Sequence, residues 1–122
     1  FVYKVPEYSD ERGVFKEFVK THNSGQLSCF SSMPGVARGK HYHNTKVEKF
    51  FIIQGKAKFR FKNIVSNDVI EIITTSNDNS IIETIPGWAH EIINIGKEIM
   101  HVMLWSSENF DKEKPDTYQH DV

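Results

Sequence analysis

The sequence predicts an all-β domain, a sandwich or barrel of many short strands, and three observations carry that expectation. Turn-forming residues recur at short intervals, the runs between them have the length and chemistry of strands, and no stretch sustains a helical period. Strands of this kind must bury one face against another sheet, which closes them into a sandwich or barrel.

Taken in order, Phe1 to Val5 has the apolar content of a first strand and precedes the turn signal Asp10-Glu11-Arg12-Gly13. Further punctuation stands at Asn23-Ser24-Gly25, Pro34-Gly35, Gln54-Gly55-Lys56, Ser76-Asn77-Asp78-Asn79, Pro86-Gly87 and Ile95-Gly96-Lys97. Between Lys56 and Lys62 the chain alternates, with Ala57, Phe59 and Phe61 on one face and Lys56, Lys58, Arg60 and Lys62 on the other. This is a half-buried strand whose basic face is solvated, with no need of a phosphate partner. Phe50 to Ile53, Val69 to Ile73, Ile81 to Ile85 and Ile99 to Trp105 are rich in Ile, Val and Phe, end near turn signals, and read as strands as well. The tail from Ser106 is polar and is expected to wrap the barrel or pack on a partner. There are no internal repeats or low-complexity segments.

A length of 122 residues suits one domain with its own core. With 15 basic and 16 acidic residues there is no electrostatic footprint for nucleic acid or anionic lipid. The apolar runs fall far short of the ~20 residues of a membrane helix, so no membrane insertion is expected. The single cysteine, Cys29, can form no internal disulfide; it fits a cytoplasmic setting and reads as a small buried apolar residue. The chain starts at Phe1 where a whole protein starts at Met, so a domain from a longer protein is expected.

The stretch richest in chemistry starts at Gly35 and contains His41, His43, Glu48 and Gly55. On a strand, positions two apart share a face, so the imidazoles of His41 and His43 project together while Tyr42 points the other way. Glu48 follows a short connection and precedes Phe50 to Ile53, so a hairpin brings its carboxylate back over the same face. His90 follows the Pro86-Gly87 turn and supplies a fourth donor. Three neutral imidazoles and a carboxylate suit Zn, Fe(II), Mn or Ni, with positions left open for water or substrate oxygens. His22, His101 and His120 stand alone and read as ordinary surface or core residues.

Gly, five residues, His, one, His, four, Glu, six, Gly is the spacing from Gly35 to Gly55, and it matches the first signature of the cupin superfamily throughout. The second signature is matched by Gly87, His90 and Asn94, with Pro86 displaced to the position just before Gly87. The sequence is thereby identified as a cupin, which implies a double-stranded β-helix, or jelly-roll, barrel. Within the superfamily it resembles the dTDP-4-dehydrorhamnose 3,5-epimerases in Asp10-Glu11-Arg12-Gly13 with Phe15 and Glu17, in Arg38-Gly39-Lys40-His41-Tyr42, and in Ile85-Pro86-Gly87-Trp88-Ala89-His90. In those enzymes, which use no metal, the counterpart of His41 is the base. Here His43 and Glu48 stand where they carry Gln and Lys. Their acid tyrosine has no counterpart, since the nearest positions are Asn109 and Phe110.

A closer resemblance is to the C-terminal cupin domains of bifunctional capsular polysaccharide synthesis enzymes. It implies a zinc-binding isomerase that epimerises C3 of a UDP-linked 2-acetamido-2,6-dideoxy-4-hexulose on the route to UDP-N-acetyl-L-fucosamine. It also implies a reductase domain in the same chain using NADPH, and a homodimer.

A proton on C3 beside a C4 ketone is acidic because the carbanion spreads onto oxygen, and a Lewis acid lowers that barrier by several kcal/mol. His41 cannot be ligand and free base at once, which leaves Lys40, Tyr42 and His101 as further candidates for the base. Arg38 has the directed donors to steady a diphosphate. Two other readings stay open at this level: a metal-dependent cupin oxygenase, and a non-catalytic sugar-binding or dimerisation module with structural zinc.

Overall fold

The computed structural model describes residues 1–122 as two antiparallel sheets facing one another. The strands are β1 (Glu7–Asp10), β2 (Gly13–Lys20), β3 (Gln26–Ser32), β4 (Ala37–Tyr42), β5 (Glu48–Gln54), β6 (Lys56–Asn63), β7 (Val69–Thr75), β8 (Ile81–Thr84), β9 (Trp88–Asn94), β10 (Met100–Ser106) and β11 (Tyr118–Gln119). The first sheet runs β1-β2-β3-β10-β5-β8 and the second β11-β4-β9-β6-β7. This is the all-β, cupin-type barrel that the turn spacing and the signatures predict. No helix is long and apolar enough to cross a membrane.

Period-2 alternation decides what faces inward. On β6, Ala57, Phe59 and Phe61 are buried, and on β10 so are Met100, Val102 and Leu104. The ring of Phe50 packs edge-on against Phe59 at 5.4 Å and against Phe30 at 6.4 Å. Each such side chain contributes about 1.5–3 kcal/mol by leaving water.

The register of the first sheet then builds a gradient along the barrel axis. Ile52, Val102 and Phe30 form one inward row, Phe50, Leu104 and Ser28 the next, and Glu48, Ser106 and Gln26 the third. Successive rows turn from apolar to polar, so one end of the barrel is packed solid and the other is a polar-walled cavity.

Two expectations are corrected. Residues 1–6 form no strand, and Phe1, Val2 and Tyr3 are fully or largely exposed. Apolar content makes a strand only where a sheet edge offers hydrogen bonds, and the pairing of β1 with β2 covers only Glu7–Asp10. Cys29 is exposed, because Ser28 and Phe30 take the inward positions of β3. The signals for β1 to β3 are weaker than those for the later strands, because their inward positions include Glu17, Gln26, Ser28 and Ser32. The polar tail wraps the barrel as expected: β11 pairs with the edge of β4, Tyr118 opposite Tyr42 and Gln119 opposite His41.

Candidate metal centre

The cavity holds the two histidine strands in contact. β4 and β9 pair in register as far as Gly39 opposite Glu91, but the next pair is His41 with His90. Lys40 is the extra residue of a β-bulge, at φ 60°, and Gly39 has φ 105°. A bulge sets two residues against one and re-aims the side chains beyond it. Here it replaces a Lys40–His90 pairing with His41–His90, and the imidazole centroids lie 4.8 Å apart with their planes at 86°. Gly39 permits this because its backbone passes close to the His90 carbonyl, in space that a Cβ would fill.

His43 lies one residue past the end of β4, 5.0 Å from the His41 ring and 5.4 Å from the His90 ring. Its Nδ1 faces the Asp116 carbonyl oxygen at 2.7 Å, which fixes the proton on Nδ1 and turns Nε2 toward the centre. The Pro86-Gly87 turn is tied to the same residue, since the Gly87 N–H donates to the His43 carbonyl at 3.0 Å. Glu48 opens β5 in the opposite sheet and reaches across. Its Oε1 lies 2.9 Å from His43 Nε2 and 3.4 Å from His90 Nε2, while Oε2 accepts from Ser106 Oγ at 3.2 Å.

One donor atom from each of His41, His43, Glu48 and His90 falls within 4.8 Å of all the others. Donors at roughly 2.0–2.2 Å from a shared cation stand about 3–4 Å apart, so a small contraction suffices to fit one. His90 Nε2 is buried and makes no hydrogen bond. An unpaired buried polar atom costs about 1–3 kcal/mol, and a cation at the centre removes that cost. The residues therefore fit a divalent metal.

Protonation states agree. Burial, with help from the neighbouring His90 and His43, pushes the His41 imidazole down to about 4. Burial alone raises the Glu48 carboxyl, but the His43 and His90 rings beside it outweigh burial and hold it below the usual carboxylate range. His43 is opposed by burial too, yet its bond to Glu48 wins and shifts it upward. Near neutrality the centre thus offers a neutral His41 and an ionised Glu48, the forms that bind cations.

Above the centre opens a cavity of about 770 Å³, within the range of small-molecule sites. Arg38 lines it with its guanidinium partly committed: Nε donates to Ser32 Oγ and Nη2 to the Ser31 carbonyl, both at 3.0 Å, over the Phe30 ring. Lys40, Tyr42 and His101 do not line the cavity. Lys40 is the exposed bulge residue, Tyr42 stacks on Tyr118 at 5.3 Å, and His101 is exposed on β10 between inward Met100 and Val102. Two buried charged residues of the cavity escaped the sequence reading of the site. Glu17 is buried and receives Tyr8 Oη at 2.9 Å, Gln26 Nε2 at 3.3 Å and Lys20 Nζ at 3.1 Å. Lys46 is buried between ligands, its ammonium donating to the Pro115 carbonyl at 3.2 Å. A charged residue sharing strand parity with Phe15 is the signal that could have found Glu17.

The polysaccharide biosynthesis C-terminal domain model matches residues 8–118. The chain belongs to that family. A Pseudomonas aeruginosa protein named UDP-2-acetamido-2,6-beta-L-arabino-hexul-4-ose reductase is 52% identical over 97% of this chain, which spans only 32% of that relative. The crystal structure of the capsular polysaccharide assembling protein CapF from Staphylococcus aureus superposes with a TM-score of 0.96 at 37% identity, over 100% of this chain and 36% of CapF. A double-stranded β-helix protein from Klebsiella pneumoniae, with a TM-score of 0.71 at 17% identity over 94% of this chain and 84% of its own, shares the fold.

Proposed function

We propose that this chain is the epimerase domain of a longer capsular polysaccharide enzyme, acting at C3 of a UDP-2-acetamido-2,6-dideoxy-4-hexulose. The reductase domain of the same protein then reduces C4 with NADPH. The observation that carries this reading is the convergence of His41, His43, Glu48 and His90 at the floor of a cavity large enough for a sugar. The reductase name and greater length of the Pseudomonas relative, and the CapF match, support the substrate class and the second domain.

His41, His43, Glu48 and His90 would hold the cation, with zinc the choice that best suits three imidazoles and one carboxylate. When bound, it supplies Lewis-acid stabilisation of negative charge on a substrate oxygen. Proton transfer falls to groups outside the ligand set. Glu17, held by the Tyr8 hydroxyl, faces the same cavity and can accept the C3 proton at its carboxylate; inversion then requires a proton to reach the opposite face, where solvent supplies it. The free N–H groups of Arg38 and the ammonium of Lys46 bring positive charge to the wall where an anionic substrate is held. The apolar side chains of Val69, Ile70, Ile72 and Ile73 on edge strand β7 are exposed, which suits a homodimer.

The test is solvent exchange. The full-length protein, supplied with the UDP-4-keto sugar in heavy water without NADPH, is expected to incorporate deuterium at C3. Metal-loaded protein that binds the sugar but exchanges nothing would refute the epimerase and leave a binding module. Oxygen consumption in place of exchange would mark an oxygenase.

A further inference from the structure

The segment after β10 returns to the metal-ligand loop and holds it at one residue. The Asp116 carboxylate accepts three consecutive backbone N–H groups, from Asn44 at 2.9 Å, Thr45 at 3.0 Å and Lys46 at 3.1 Å, while the single Thr45 hydroxyl proton has Glu108 Oε2 at 2.7 Å nearer than Asp116 Oδ2 at 3.0 Å. These donors occupy three of the four positions between ligands His43 and Glu48. The carbonyl of the same residue accepts from His43 Nδ1 at 2.7 Å. The neighbouring Pro115 carbonyl takes the Lys46 ammonium, and Thr117 lines the cavity. Asp116 sits at φ 46°, a left-handed conformation that is strained for a non-glycine residue and persists where its contacts over-determine it.

We propose that Asp116 is a positioning residue for the metal centre: its carboxylate fixes the spacing of His43 and Glu48, and its carbonyl fixes the ring orientation of His43. The inference rests on the metal-binding reading above. Backbone satisfaction alone does not call for this arrangement, because the exposed Asn44 and Thr45 can satisfy their N–H groups with water. What water cannot do is hold three successive amides to one oxygen pair while orienting the adjacent imidazole. An imidazole ligand keeps its geometry only while its second nitrogen is held, and losing such a partner typically costs 10–100-fold in metal affinity.

The experiment compares the full chain with Asp116→Gly and Asp116→Asn, using zinc in competition with a chromophoric chelator and cobalt(II) as a spectroscopic probe. Glycine accepts the positive φ without strain, so this variant removes the carboxylate while relieving the backbone. With the ligand loop no longer tied to the backbone whose carbonyl holds His43 Nδ1, it is expected to bind zinc more weakly, up to the about 10–100-fold that outright loss of an imidazole's partner costs, and to shift the cobalt d–d bands. Asparagine keeps one acceptor oxygen, enough for the donors now shared at Oδ2, and is expected to recover part of the affinity. Circular dichroism of the metal-free proteins shows whether the barrel is intact, and should Asp116→Gly not fold, Asp116→Asn alone carries the comparison. Wild type that takes up neither ion overturns the metal reading and the clamp with it. Wild type that binds, beside a folded variant of equal affinity and unchanged cobalt spectrum, overturns the clamp alone.

Discussion

Gly39→Ala isolates the bulge that brings His41 opposite His90. At φ 105° the residue lies in a region that L side chains rarely adopt, and even the milder left-handed helical region costs about 1–2 kcal/mol. A Cβ placed there would stand 2.6 Å from the His90 carbonyl oxygen and 3.1 Å from Glu91 Cα. Both are backbone atoms of a paired strand, so neither can swing aside as a side chain tip would, and β4 must lift from β9 at the ligand pair. The total loss falls at about 2–4 kcal/mol, at the upper end of ordinary single substitutions. Urea unfolding of the metal-free protein reads that loss, and chelator competition reads the accompanying fall in zinc affinity. Gly35→Ala is the control, because Gly35 has φ 78° but a Cβ there would meet nothing within 4 Å. It is expected to show only the conformational part and wild-type zinc affinity. A Gly39→Ala protein with an unchanged urea midpoint and unchanged affinity would refute the argument that the bulge aims the ligands.

Glu48→Gln removes the one anionic donor and is expected to weaken zinc binding beyond the 10–100-fold typical of outer-shell partners, as measured by the same competition. The metal-free protein is expected to lose thermal stability as pH falls from 6.5 to 4, because His43, shifted upward, opposes the loss only above 6.5. His41 is held down to about 4 in the folded state against an ordinary 6.5, so protonation favours unfolding across that window. Glu48, also held low, contributes stability above the ordinary carboxylate value of 4.5 that is lost with further acidification, in the same direction. A melting temperature flat between pH 6.5 and 4 would contradict the His41 reading, and one flat below 4.5 the Glu48 reading. Phe59→Ala, at a fully buried ring, is expected to cost about 3–5 kcal/mol in urea unfolding and to leave the ligand set in place, so that zinc still binds.

Much of this molecule is legible in the residues themselves. Every turn signal named from the sequence falls between strands or at a strand end, because Gly, Pro and Asn meet backbone demands that are local. The alternation of Lys56 to Lys62 reports a face because β6 lies between two neighbours with one side on the core. His41, His43, Glu48 and His90 could be grouped because their spacing is a superfamily signature.

What stayed hidden is long-range. Parity alone sets Lys40 opposite His90, and only the φ values of Gly39 and Lys40 show that the register slips by one. Asp116 lies 73 positions from His43, and nothing near it in the sequence points to the loop it holds. Glu17 looks like a surface charge until Tyr8, Gln26 and Lys20 surround it.

The most direct measurement is elemental analysis of purified, zinc-equilibrated protein beside His90→Ala. One zinc per chain in the wild type, falling to a small fraction in the variant while the barrel stays folded, is the predicted result. Protein that remains free of metal, or a folded His90→Ala variant that keeps a full complement of zinc, would contradict the account.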